Sequence, residues 1–313
     1  MNAFRVAILG VTLLCLASDH AAAQCACCAG PQPSTGVSVG TSLSALTGLQ
    51  GDVASSDRAT LSLFVHQALD HRTEGRPVVS TNAVPQPARS KETQVVLGGL
   101  WRPSPGLALQ LSVPVRHLSA SGSESVSYTE LGDPEFSVSG IFCHKRNLMA
   151  VTFSLLLGLA DDDLRNADGD RVDPSLQPGR GATSPGVRAL VSRQLSDTYT
   201  LFIAGGIRLE AEDTRAGYRW GNRFDASAGV QARLDAFEVG GTLSRVTVAQ
   251  SSRDGGTIDN TGSSTTHLIP YVRWNINDRF ALTLADQVLL AADVKGEQRL
   301  PAHMISAGAT IAF

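Results

Sequence analysis

Past its first two dozen residues, the chain has no apolar stretch free of charge or glycine that is long enough to cross a bilayer as a helix, which takes about 20 residues. Any membrane role therefore falls to strands. Positive charge is not in surplus either: 26 Lys and Arg stand against 29 Asp and Glu, a formal net charge of -3, which argues against nucleic acid as a partner. Helical 3.6-residue patterning is weak throughout, and no Gly-x-Ser-x-Gly elbow marks a hydrolase. Hydrophobic residues make up 42% and charged ones 18%, which suits a wall that meets lipid on every second residue and equally suits a soluble β-protein.

What is present begins with a secretory signal. Arg5, an apolar run from Val6 to Ala17 and the small residues Ala21-Ala22-Ala23 read as a signal peptide over 1–23, with the mature chain starting near Gln24. The residues before Cys25, Ala22-Ala23-Gln24, lack the small residue expected just ahead of a lipidated cysteine. A length of 313 suggests two domains, but all-β barrels of this length form one unit, and one domain over 58–313 is expected.

From residue 58 onward, segments of alternating character are separated by turn-rich links, as antiparallel strands require. They are 58–71, 91–102, 106–119, 133–144, 148–160, 183–195, 198–211, 219–232, 236–249, 264–276, 279–292 and 302–313. In 106–119, Leu107, Leu109, Leu111, Val113 and Val115 share one face, while Gln110, Ser112 and Arg116 share the other. In 219–232, Trp220, Phe224, Ala226, Ala228 and Val230 oppose Arg223, Asp225, Ser227 and Gln231. The links alternate short and long, as in transmembrane barrels with short periplasmic turns and long outer loops. The expected fold is an antiparallel twelve-stranded transmembrane β-barrel with both strand ends of the wall in the periplasm. Residues 24–57, which contain a further strand candidate at Gly36–Leu46, are read as a periplasmic extension or a lumen plug. Asp286 and Arg245 interrupt apolar faces, so β-bulges or strand ends near the interface are expected there.

The chain ends in Ser306-Ala307-Gly308-Ala309-Thr310-Ile311-Ala312-Phe313. A polar residue, a glycine, alternating apolar residues and a terminal aromatic look like the signal read by the outer-membrane insertion machinery, with Ser306, Gly308, Ile311 and Phe313 as its elements. Two further stretches carry a family resemblance. Leu131-Gly132-Asp133-Pro134, leading into Phe136 and Val138, resembles an "LGD" strand entry. Gly158-Leu159-Ala160-Asp161, with the run Asp168 to Gly181 that contains Gln177-Pro178-Gly179-Arg180-Gly181, is similar to a loop ending in "QPGTGS". Both belong to a family of outer-membrane transporters labelled as a phenol-degradation (meta-pathway) component. This chain departs from that pattern at Leu159-Ala160-Asp161, where the family has Pro-Thr-Gly, and at Arg180, where Thr is common. The resemblance implies an outer-membrane barrel that carries solutes.

Candidate chemistry falls in four places. Cys25, Cys27 and Cys28 could hold a soft metal such as Cu(I) or Zn, or form a disulfide with Cys143 or another chain, or be a reactive tail. The acidic loop with Asn166, Asp168, Asp170 and Asp173 around Gly169 resembles a Ca²⁺ loop without its terminal bidentate Glu; a solvated acidic loop is the plainer reading. Should Ca²⁺ bind, it would bridge the loop or lipopolysaccharide. Arg116, Arg188, Arg208, Arg223 and Arg273 fall on the inward face with Glu135, Asp225 and Glu238, where they either bias a pore toward anions or pair with one another to hold the wall. His66, His117, His144 and His267 could serve a hydrolase only with a serine and an orienting acid in reach. The expectation is a channel for small, anionic or aromatic solutes, not an enzyme. The alternative is a non-conducting structural or metal-handling barrel working through the cysteines.

Overall fold

The computed structural model describes residues 59–75, 89–121, 126–165, 169, 177–210, 212–214 and 217–313. The expected signal peptide, the 24–57 extension, the three N-terminal cysteines and Asn166, Asp168, Asp170 and Asp173 all lie outside the described residues.

Among the described residues every element is a strand: β1 (Ala59–Glu74), β2 (Arg89–Ser104), β3 (Leu107–Ser121), β4 (Val126–Leu131), β5 (Glu135–His144), β6 (Asn147–Leu156), β7 (Ser184–Gln194), β8 (Tyr199–Arg208), β9 (Tyr218–Arg219), β10 (Arg223–Leu234), β11 (Phe237–Val248), β12 (Ser252–Arg253), β13 (Gly256–Thr257), β14 (Ser263–Asn275), β15 (Phe280–Val294) and β16 (Gln298–Ala312). β1 pairs with both β2 and β16, so the sheet closes on itself. β4 and β5 both pair with β3 and share one stave, which gives a closed antiparallel barrel of twelve. Closure matters because a sheet edge in hydrocarbon would leave backbone groups unpaired at a cost of several kcal/mol each.

Alternation puts the two sides of each strand in different surroundings. Leu63, Trp101, Ile203, Leu243 and Leu284, all on the outer side, are 49–60% exposed. The residues between them point inward and are buried: Ser62, Phe64, His66 and Gln94 among them. Burying one such apolar side chain is worth about 1.5–3 kcal/mol, so an outer belt this apolar is stable only in a non-aqueous surround.

Links at one end of the barrel are tight turns, with Lys145 and Asp235 at φ of 54° and 50°. At the other end the links are long, and several fold back on the barrel. β4 occupies residues expected to be loop: Tyr128 packs inward against Leu118 and Ala120, and the strand breaks only at Gly132-Asp133-Pro134. β6 stops at Leu156, short of the expected residue 160, because the chain turns inward where Gly158 presses on the Ala182 backbone. β9, β12 and β13 form a small sheet that the sequence reading did not anticipate, and Ile258 packs there on Tyr218 and Trp220. Asp286 sits on the outer face against His303 at 3.0 Å, and the β14–β15 register shifts between Thr266 and His267. Arg245 lies near the loop end of β11, where its Nε donates to Ser264 Oγ at 3.0 Å.

Candidate functional site

The inner wall carries charge in a band across β5, β7, β8 and β10, and glycines make room for it. Arg188, Gly206 and Asp225 are consecutive register partners, and Arg188 meets Asp225 at 2.7 Å across the strand that Gly206 leaves bare. A Cβ at Gly206 would come within 3.1 Å of Asp225 Oδ1. Arg208 faces Gly186 and reaches Glu135 at 2.6 Å. Removing one partner of such a buried pair costs about 3–5 kcal/mol, since the other charge is then stranded.

Above this band, toward the loop end, the described stretches 157–165 and 177–183 fold inward and are held by side chains from the wall. Asp133 accepts hydrogen bonds from the backbone N–H of Ala160 at 2.9 Å and of Arg180 at 2.6 Å. Gln177 bonds both backbone groups of Leu164, at 2.8 and 3.0 Å, and its carbonyl accepts from Arg116 Nη1 at 2.5 Å. Arg180 pairs with Glu210 at 2.9 Å and lies 4.6 Å from the centre of the Trp220 ring, whose Nε1 donates back to the Arg180 carbonyl. Burial lowers the pKa of Arg180; Glu210 opposes the shift and Arg208 reinforces it. Glu210 also accepts from Ser184 Oγ. The two stretches that carry the family resemblance, 131–134 and 177–181, thus meet in space, with Asp133 as their hub.

Below the charged band, toward the turn end, the inner wall over β2 to β8 carries an apolar cluster beside buried Arg102, Ser139, Thr152 and Ser192. Leu100, Ala108, Ile141, Leu148, Ala150, Leu190 and Phe202 form one cluster, with Cys143 and Ala204 packed against it. Across from it the wall is polar. Gln231 Nε2 donates to Glu238 at 2.8 Å, Arg233 approaches Glu238 at 3.5 Å, and Arg273, the register partner of Glu238, donates to Asn275 at 3.0 Å.

Among solved structures, the chain is similar to a crystal structure of an outer membrane channel from Pseudomonas putida F1, with a TM-score of 0.63 and 14% identity, over 82% of this chain and 96% of that one. The barrel has the fold of that channel. Looser likenesses, each at a TM-score of 0.44, are to the monoaromatic hydrocarbon channel CymD (9% identity, 83% of this chain and 90% of that one) and the Pseudomonas putida toluene transporter TodX (7% identity, 92% and 97%). Neither is close enough in shape to bear on function. No family model matches the chain, and no curated protein matches it in sequence.

The structure thus brings Arg188, Arg208, Arg223, Glu135 and Asp225 into one band and sets Glu238 and Arg273 in a second group nearer the turns. It places Arg116 apart, on Glu92 at 2.7 Å. Most of these arginines are engaged by acids, so a count of inward arginines overstates the free positive charge. Cys143 is disulfide-bonded. Among the described residues no three His, Cys, Asp or Glu side chains gather into a metal-binding group. At the chain end, Ser306 is buried and hydrogen-bonded to His66 Nδ1 at 2.8 Å, Gly308 lies under the Phe64 ring, and Ile311 and Phe313 are exposed outward. His66 meets this serine but no carboxylate, and it is fully buried; His303 meets a carboxylate but no serine. Among the described residues there is therefore no serine–histidine–acid triad. Sequence reasoning missed Arg180 and Glu210 as site residues, and it put Trp220 on the apolar face of a strand over 219–232, whereas Trp220 lies before β10 and turns in onto Arg180. It also missed Gly186 and Gly206, whose inward positions within strands were legible.

Proposed function

We propose that the chain is an outer-membrane channel that passes small solutes, with the tight turns in the periplasm and the long loops outside. The observation that carries this reading is the two-faced closed wall: apolar side chains outward, charged and polar ones inward. A soluble barrel has no use for an outer belt half-exposed at Leu, Ile and Trp, whereas a membrane barrel requires one. Anionic or aromatic solutes are supported by the guanidinium band lying next to an apolar cluster and by the resemblance at 131–134 and 177–181. Outer-membrane lipid and lipopolysaccharide would contact the belt, and the insertion machinery would read Ile311 and Phe313, which face outward at the turn end.

Liposome swelling tests the channel. Vesicles carrying the purified barrel should swell in isosmotic benzoate and in glycine, and not in a large oligosaccharide. Swelling no faster than that of empty vesicles in every small solute would contradict the proposal.

A further inference from the structure

Three of the four arginines at the charged band each have a carboxylate within ion-pair distance. Arg180 is matched by Glu210, Arg188 by Asp225 and Arg208 by Glu135. Arg223 is left over. Among the described residues no carboxylate lies within ion-pair distance of it; Asp225, two positions along the same face, acts on it from farther off and is itself paired with Arg188. Yet only 4% of Arg223 is exposed. Its Nε and Nη1 are buried without a hydrogen-bond partner, and so is Nε of Arg208, its direct register partner across the β8–β10 ladder.

A buried guanidinium with idle donors and no acid in contact is an unfavourable arrangement, and an anion supplied from outside relieves it. We propose that the facing guanidiniums of Arg223 and Arg208 bind the carboxylate of a small organic monoanion, whose apolar body lies toward the turns against Leu190, Ala204 and Phe202. The proposal rests on the channel reading above and adds a solute class and a binding residue to it. One negative charge answers one uncompensated cation, and a planar carboxylate matches the guanidinium fork. The apolar neighbours follow from strand period: Ala204 and Phe202 lie below Arg208 on the same inner face of β8, and Leu190 lies below Arg188 on β7, all within the apolar cluster.

Calorimetric titration of the purified barrel in detergent tests this, with benzoate, benzyl alcohol and inorganic phosphate as probes. Benzoate should bind saturably at one site, and the other two at least about tenfold more weakly, the worth of one charge-assisted contact. Arg223→Gln should weaken benzoate by about tenfold or more, while Arg146→Gln, in an exposed turn, should leave it unchanged. Should Arg223→Gln not fold, the wild-type barrel still decides: benzoate, and not benzyl alcohol, should raise the temperature of its heat-modifiable gel shift. Benzoate binding unaltered in Arg223→Gln, equal binding of benzyl alcohol or phosphate, or no saturable benzoate binding would each overturn the site. Swelling with no benzoate binding removes the site and leaves the channel; binding without swelling does the reverse.

Discussion

On the inner wall three aromatic rings lie over glycines of the neighbouring strand: Phe64 over Gly308, Phe202 over Gly229 and Tyr271 over Gly240, each a direct register pair. A Cβ built on any of the three glycines would run into the ring opposite. Covering the glycine lets the ring lie flat on the wall and shields a backbone that has no side chain of its own. Gly308 therefore serves the packing of the closing β1–β16 seam as well as any insertion signal. Gly99 is a contrast, since it faces outward and its Cβ would meet nothing within 4 Å. Gly308→Leu is expected to abolish the heat-modifiable barrel band on unheated gels, whereas Gly99→Leu should keep it. Equal behaviour of the two variants would show that the ring-over-glycine packing does not matter. Strand period reveals that both glycines lie in strands and on which side; it does not reveal the partner strand, so the rings were not legible.

At the scale of elements, Asp133 is central to what holds the inward stretches 157–165 and 177–183. It anchors two backbone N–H groups of the segment, at Ala160 and Arg180, from the break between β4 and β5. Hydrogen bonds to a charged acceptor are worth about 1.5–3 kcal/mol, so Asp133→Ala should free this part of the segment without opening the wall. Trypsin should then cut after Arg180 in the folded barrel faster than in wild type, and channel conductance should rise; unchanged cleavage and conductance would refute the latch. The strands themselves were readable because lipid and lumen impose period two on every stave. Leu107 to Val115 and Phe224 to Val230 show that period plainly, and even the alternate lengths of the links could be read. What alternation could not give is the inward path of a loop, since Gln177, Arg180 and Glu210 take their places from tertiary partners. Nor could it show that Tyr128 extends a stave past the break at Gly132-Asp133-Pro134.

At the scale of the whole molecule, twelve staves close the wall, and among the described arginines of the charged band Arg223 alone has no acid in contact; on the proposal above it sets the sign of the solute. Such a lumen should pass anions ahead of cations, and the bias should come from a single charge. The most direct measurement is the reversal potential of the purified barrel in a planar bilayer under a KCl gradient, for wild type and Arg223→Gln. The account predicts a wild-type potential of the sign set by chloride, moving toward zero in the variant. A barrel that inserts without conducting, or a wild-type potential of the sign set by potassium, would contradict it.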